Sequence, residues 1–233
     1  MSNSISSRLD QLNERIQSAV ERADRLESEV ELIAVTKTWP VEVLAAAYEA
    51  GLRIFGENKV QEIEEKAPAL PDDIDWHLIG HLQKNKVRKV LPFCKTIQTV
   101  DSIELAQRID RIAVEEALQC EILIQVNIAS DDSKFGISPE ELEPLLDASR
   151  NLSRIEVAGL MTVPAFDPDP EKVRPHFANL RSLRDSTQVS SGLELPELSM
   201  GMSHDFEVAI EEGATQVRVG SALFGARDYG TNG

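Results

Sequence analysis

Leu32-Ile33-Ala34-Val35-Thr36-Lys37-Thr38-Trp39-Pro40 decides the fold, because a short apolar run there ends abruptly in a lysine. Four apolar residues in a row, two of them β-branched, predict a strand buried on both faces, as in a parallel sheet. The lysine at its end has two readings. Its ammonium can snorkel to water along an apolar stem. Alternatively its amine is presented in a pocket, where partial desolvation favours the neutral form that attack on an aldehyde requires.

On the N-terminal side, Ile5, Leu9, Leu12, Ile16, Ala19, Val20, Ala23 and Leu26 recur at helical spacing with charges between them. They predict one amphipathic helix over 5–31, packed on whatever the following chain builds. On the C-terminal side the pattern alternates. Pro40 opens a helix that Gly51 closes. Further strands are predicted at 53–58, 75–80, 96–101, 121–127, 155–161, 195–200 and 216–220. Helical segments fall at 59–66, 84–91, 103–118, 139–149, 171–184 and 205–212, with Ser138 as an N-cap. The fourth and seventh strands carry the weakest signals. Eight strands alternating with helices, without a long linker, predict an α/β fold: a single (β/α)8 TIM barrel. The organisation is then an N-terminal helix in 1–31 and a barrel in 32–233, one domain overall. An open doubly wound sheet is the alternative, though it rarely needs eight regular units.

Composition bounds the function. The 233 residues are 42% hydrophobic and carry a formal net charge of −16. Such a surface repels nucleic acid and anionic membrane, so neither is expected as a partner. Any phosphate site must be local, built from backbone N–H groups and a few basic side chains. The two cysteines, Cys94 and Cys120, match no metal spacing and no C-x-x-C motif, and no metal is expected. With no signal-type core and no apolar run near the roughly 20 residues that span a bilayer, the protein is expected to be cytoplasmic.

In a barrel of this kind the active face lies at the C-terminal ends of the strands. There the sequence places Lys37, Asn58, His81, Asp101, Asn127, Met161-Thr162, Ser199 to Ser203 and Arg218 to Ser221. One lysine is thus ringed by neutral hydrogen-bonding groups, and Arg218 is the other fixed positive charge. The Ser199–Ser203 stretch and Gly220-Ser221 have the parts of an anion site on strands seven and eight, where the fold often holds phosphate. Taken singly, each is also an ordinary Gly/Ser turn. Arg218 can equally form an ion pair at the rim. His81 reads as a hydrogen-bonded structural group, His77 as core or wall, and His204 as a helix cap. The run Lys84-Asn85-Lys86-Val87-Arg88-Lys89 reads as a solvated helix face that could meet an anionic partner or a second subunit.

Seven segments resemble a known family: Val35 to Thr38, Phe55-Gly56-Glu57-Asn58, Trp76 to Lys86, Gln125-Val126-Asn127, Gly159-Leu160-Met161, Leu198 to Ser203 and Val217 to Gly225. In this order they are similar to the pyridoxal-phosphate homeostasis protein family, often called the YggS or PROSC family. The resemblance runs from about Leu32 to Tyr229. Lys59 departs from it, standing where an aromatic residue is common. The resemblance implies a fold-type III barrel like the N-terminal domain of alanine racemase, with pyridoxal 5'-phosphate (PLP) held covalently as a Schiff base on Lys37. It implies that Ser199, Ser203, Gly220 and Ser221 surround the phosphate, that Arg218 faces the pyridine nitrogen, and that Asn58 lies near the ring. Met161 completes the expected cofactor-binding set, and no residue receives a catalytic role.

Arginine stays protonated and does not readily give a proton to a pyridine nitrogen, which weakens the ring as an electron sink. The expectation is therefore a PLP carrier in vitamin B6 homeostasis, supplying apo-enzymes, monomeric, with little or no turnover. The alternative is an amino-acid racemase or related PLP enzyme. Racemisation needs acid/base groups on both faces of the substrate carbon. Lys37 offers one; the other face has no obvious candidate, Tyr229 lies in a tail, and the chain is expected to end with the barrel. A third reading is a barrel enzyme acting on a phosphorylated substrate, which would not need the lysine.

Overall fold

The computed structural model of the protein describes residues 4–131 and 133–225. The chain begins with α1 (Ile5–Arg22), followed by β1 (Glu31–Val35), α2 (Val41–Glu49), β2 (Ile54–Glu57), α3 (Val60–Lys66), β3 (Asp75–Leu78), α4 (Val87–Val90), β4 (Cys94–Val100) and α5 (Ile103–Glu115). It continues through β5 (Cys120–Gln125), α6 (Leu142–Ser149), β6 (Ile155–Met161), α7 (Arg174–Ser191), β7 (Glu197–Met202), α8 (Phe206–Glu211), β8 (Gln216–Val219) and α9 (Ser221–Phe224). All eight strands are parallel, each paired with the next, and β8 closes on β1 with Ile33 opposite Arg218. The closed barrel settles the choice against an open sheet.

Alternation along the strands sorts two environments. Outward residues such as Phe55, Trp76, Leu78, Ile97, Ile122, Ile124, Leu198, Val217 and Val219 join one apolar layer beneath the helices. Inward residues fall into two regions: Leu123, Ala158 and Met161 form a small apolar cluster. Beside it lies a buried polar chain of His77, Gln98, Ser199, Gln216 and Arg218. That chain explains the weak strand signal at β4, whose Thr96 and Gln98 are buried although polar.

The N-terminal helix stops nine residues short of its predicted end, at Arg22. Asp24 takes a positive φ of 53°. The Arg25 guanidinium then donates to the carbonyls of Ile210 and Ala214, which ties the turn to the end of α8. Leu26, counted in the apolar stripe, is 67% exposed. The true stripe, Leu9, Leu12, Ile16, Ala19 and Val20, packs α1 against α8 and α9, and Arg15 stacks over the Phe206 ring. Strand and helix limits elsewhere shift by one to a few residues, most at β7, which starts after Pro196, and at α7, which runs on to Ser191. The basic run is a short surface helix: Val87 and Val90 are buried, Arg88 pairs with Glu115 and Glu116, and Lys89 approaches Glu64. Among the described residues no helix is long and apolar enough to cross a membrane, and no cluster of side chains could hold a metal ion.

Candidate functional site

A cavity of about 490 Å³ opens at the C-terminal ends of the strands. Lys37, Asn58, Ser203, Gly220 and Ser221 line it together with the buried Arg218. Val35, Ile79, Val163 and Met202 supply apolar wall, and Phe166, 70% exposed, forms part of the mouth. Six of the eight predicted site residues thus line one cavity. The other two do not. Met161 is buried in the interior cluster, and Ser199 is fully buried beneath the rim. Both belong to the inward layer one step below the cavity, which strand-end counting cannot distinguish from the rim.

Arg218 is 4% exposed. One Nη donates to Ser199 Oγ at 2.6 Å and the other to the Thr162 carbonyl at 2.7 Å. Desolvation lowers its pKa to about 10, against the opposing attraction of the Asp205 carboxylate, so it remains charged at neutral pH. Ser199 passes the chain on, donating to Gln98 Oε1 at 2.7 Å. The Gln98 amide then donates to Gln216 Oε1 at 2.8 Å and meets His77 Nδ1 at 3.0 Å. The guanidinium is therefore fixed from behind by neutral acceptors, and no carboxylate contacts it among the described hydrogen bonds.

In the same lining, Ser203 Oγ accepts from the N–H groups of both Gly220, at 3.1 Å, and Ala222, at 3.3 Å. Two main-chain donors converge on one oxygen, which is how backbone cradles anions. A Cβ on Gly220 would make only ordinary contacts at 3.4 Å, both with the cavity-wall residue Val35, so the fold itself does not demand glycine there. Gly201 is different. Its φ is +89° and a Cβ would lie 2.5 Å from Ala209 Cβ, so its glycine serves the packing of α8 rather than a ligand. Gly80 likewise admits no side chain, because a Cβ would sit 2.2 Å from the Asn58 carbonyl. That close approach fixes the Asn58 main chain at the rim.

Lys37 lies two residues past β1, half-buried, in a turn held from the outer side of the barrel. Lys66 Nζ donates to the Thr36 carbonyl at 3.0 Å, to Glu57 Oε1 at 2.7 Å and to Glu62 Oε2 at 2.7 Å. Burial raises the Glu57 pKa, while Lys66 and the Thr38 N–H hold that of Glu62 low in spite of partial burial. Sequence reading passed over Lys66, Glu62, Gln98 and Gln216; it set Thr162 on the active face and met Glu57 only within a family motif. A signal existed in Glu57, a carboxylate closing an apolar strand.

His81 stacks on Phe135 at 4.4 Å between centroids and approaches Asp101 at 3.5 Å. It borders a side compartment of about 320 Å³ that shares Asn58, Ile79 and Val163 with the main cavity. His77 is buried wall. His204 does not cap α8; its Nε2 faces the Pro168 carbonyl at 2.9 Å, and Asp205 takes the N-cap position. Tyr229 lies outside the described residues.

The donor set suits PLP: an amine for an aldehyde, a buried guanidinium for an acceptor on the ring, and converging N–H and hydroxyl groups for a phosphate. Comparison with known proteins points the same way. The family model described as Alanine racemase, N-terminal domain, matches residues 7–228. The pyridoxal phosphate homeostasis protein of Aquifex aeolicus is 47% identical over 223 residues, 95% of this chain and 98% of that one. Its human namesake is 40% identical over 237 residues, 94% of this chain and 85% of that one. Among solved structures, PipY of Synechococcus elongatus with PLP bound superposes with a TM-score of 0.84 at 38% identity, covering 95% of this chain and all of that one. Alanine racemase of Clostridium difficile shares the fold, with a TM-score of 0.72 at 16% identity over 92% of this chain and 56% of that one. The chain belongs to the pyridoxal phosphate homeostasis protein family, built on the alanine racemase N-terminal barrel.

Proposed function

We propose that the protein holds PLP reversibly as a Schiff base on Lys37 and serves cofactor homeostasis with little or no turnover. The observation that carries this reading is the convergence of Lys37, Arg218 and the Ser203–Gly220 cradle on one cavity. When bound, the cofactor supplies an aldehyde carbon for the amine and a ring nitrogen that accepts a hydrogen bond. Lys37 holds it through the amine. Arg218, charged and already anchored to Ser199 and Thr162, donates toward the ring nitrogen without surrendering a proton. Ser203, Ser221 and the Gly220 N–H receive the phosphate, and Asn58 borders the ring. Ser199 and Met161 act from beneath, Ser199 by bracing Arg218 and Met161 by filling the barrel under the cavity.

The near-complete overlap with relatives named as homeostasis proteins supports the carrier reading over a racemase. In this reading the protein works in the cytoplasm as a monomer and passes PLP to apo-enzymes.

Purified protein incubated with PLP should show a visible imine band that survives desalting. Borohydride should fix the label on the peptide containing Lys37, and Lys37→Ala should abolish both signals. A wild-type protein without the band sinks the covalent reading. Optical purity of L-alanine incubated with the loaded protein should hold steady; rapid loss of it would establish the racemase instead. Arg218→Gln should weaken PLP retention by about tenfold to a hundredfold, since a hydrogen bond to a charged group is worth about 1.5–3 kcal/mol. Unchanged retention and an unchanged spectrum would remove Arg218 from the site.

A further inference from the structure

The two peptide groups that flank Lys37 are both tied to one buried ion cluster. Before it, the Thr36 N–H donates to the Gly56 carbonyl at 3.0 Å and Thr36 Oγ1 donates to Glu57 Oε1 at 2.7 Å. The Thr36 carbonyl accepts from Lys66 Nζ. After it, the Thr38 N–H donates to Glu62 Oε2 at 2.6 Å, and that same oxygen accepts from Lys66. Lys66 is 5% exposed and sits on the last turn of α3, outside the barrel wall, with the cavity on the other side of the Lys37 turn.

The arrangement is expensive as a device for stability alone. A buried ion cluster can often be replaced by apolar residues of similar volume without loss. Thr38 adds to the cost with a φ of +67°, a left-handed conformation that a β-branched residue rarely adopts. What apolar residues could not supply is a donor for the Thr36 carbonyl and an acceptor for the Thr38 N–H. Those two bonds set the direction in which the chain leaves β1, and hence where the Lys37 Cα–Cβ bond points. Glu62 reaches the turn from the same helix as Lys66, one turn earlier, so both arms of the clamp move as a unit.

We propose that Lys66 and Glu62 are positioning residues for Lys37, clamping the peptides on either side of it so that its amine is delivered into the cavity. The role of the delivered amine rests on the Schiff-base reading above, but the clamp itself acts in the protein without cofactor. It is a feature of the local backbone, and the cavity does not have to be filled for it to operate.

The test is competitive labelling of the cofactor-free protein with trace acetic anhydride, read by mass spectrometry as Lys37 acetylation relative to the surface lysine Lys84. Glu62→Ala, which removes an acceptor at a partly exposed site, should change that ratio by about tenfold, the scale on which small misplacements of a reacting group act. Glu62→Gln retains a carbonyl acceptor for the Thr38 N–H and should recover most of the wild-type ratio. Leu12→Ala, a core change in α1 remote from the turn, should lower thermal stability and leave the ratio alone. Imine formation with PLP, titrated in parallel, should weaken in Glu62→Ala and recover in Glu62→Gln. A Glu62→Ala ratio within about twofold of wild type, below the spread expected for a displaced group, overturns the clamp. If wild type forms no imine, the cofactor reading fails while the labelling ratio still decides on the clamp.

Discussion

Gly159→Ala is expected to lower the melting temperature by about 6–12 °C, the shift that follows from a cost of about 3 kcal/mol in a chain of this size. Gly159 lies on β6 directly opposite Glu197 on β7. A Cβ there would stand 1.9 Å from the Glu197 carbonyl oxygen, 2.6 Å from its carbonyl carbon and 2.8 Å from its Cα. All three atoms are backbone, so no side-chain rotation relieves the clash. The two strands must separate, and in a closed barrel that displacement is passed on to every neighbour. Gly220→Ala is the comparison: its added Cβ meets only ordinary contacts, so its melting temperature should stay close to that of wild type. Differential scanning calorimetry of the two variants gives the contrast directly. A Gly159→Ala protein that melts with the wild type would show that β6 and β7 are not held at the separation described.

Lys66→Met carries the second large expectation, a loss of about 3–5 kcal/mol at neutral pH, because it strips a buried carboxylate of its partner. Glu57 is fully buried, and one of its oxygens, Oε2, already lacks a hydrogen-bond partner. Burial holds its pKa above the usual carboxylate range even with Lys66 present. Without the ammonium that pKa rises further. A carboxyl whose folded pKa exceeds its unfolded one incurs no ionisation penalty below the unfolded value. The penalty grows as pH climbs from there to the folded value and is constant beyond. The deficit of Lys66→Met relative to wild type should therefore be smallest near about pH 4.5 and should widen toward about pH 8. Urea unfolding at the two pH values measures it. Equal deficits would mean that Glu57 does not carry the effect.

Much of the architecture was legible, and the parts that were not have physical causes. β5 and β6 announce themselves as apolar runs because both their faces meet apolar neighbours over much of their length, and β1 because its inward Ile33 and Val35 are apolar as well as buried. β4 is faint because Gln98 and Thr96 face inward into the polar chain, so polarity there marks the interior and not the surface. The end of α1 was misjudged because Leu26 keeps helical spacing by accident, after Asp24 has already reversed the chain. At the rim, Lys37, Asn58, Ser203, Arg218, Gly220 and Ser221 could be gathered by counting strand ends, since the fold brings those ends to one face. Counting does not resolve depth along the barrel axis, and so it could not show that Ser199 and Met161 are buried outside the cavity lining. Lys66 and Glu62 escaped because an i,i+4 ion pair has the same spacing on a wet helix face as in a buried cluster.

The chain of side chains beneath Arg218 has a sense of direction. Ser199 donates to the Gln98 carbonyl oxygen, so the Gln98 amide nitrogen must face Gln216 and His77. His77 Nδ1 can then only accept, which puts the ring proton on Nε2, on the side of Asp75. Turning the Gln98 amide over would set its carbonyl oxygen against Gln216 Oε1 and would require the His77 ring proton to move to Nδ1. The barrel interior is therefore an aligned array of dipoles with one stable polarity, and the tautomer of an imidazole near its floor is set by the same order that aims the guanidinium at its mouth.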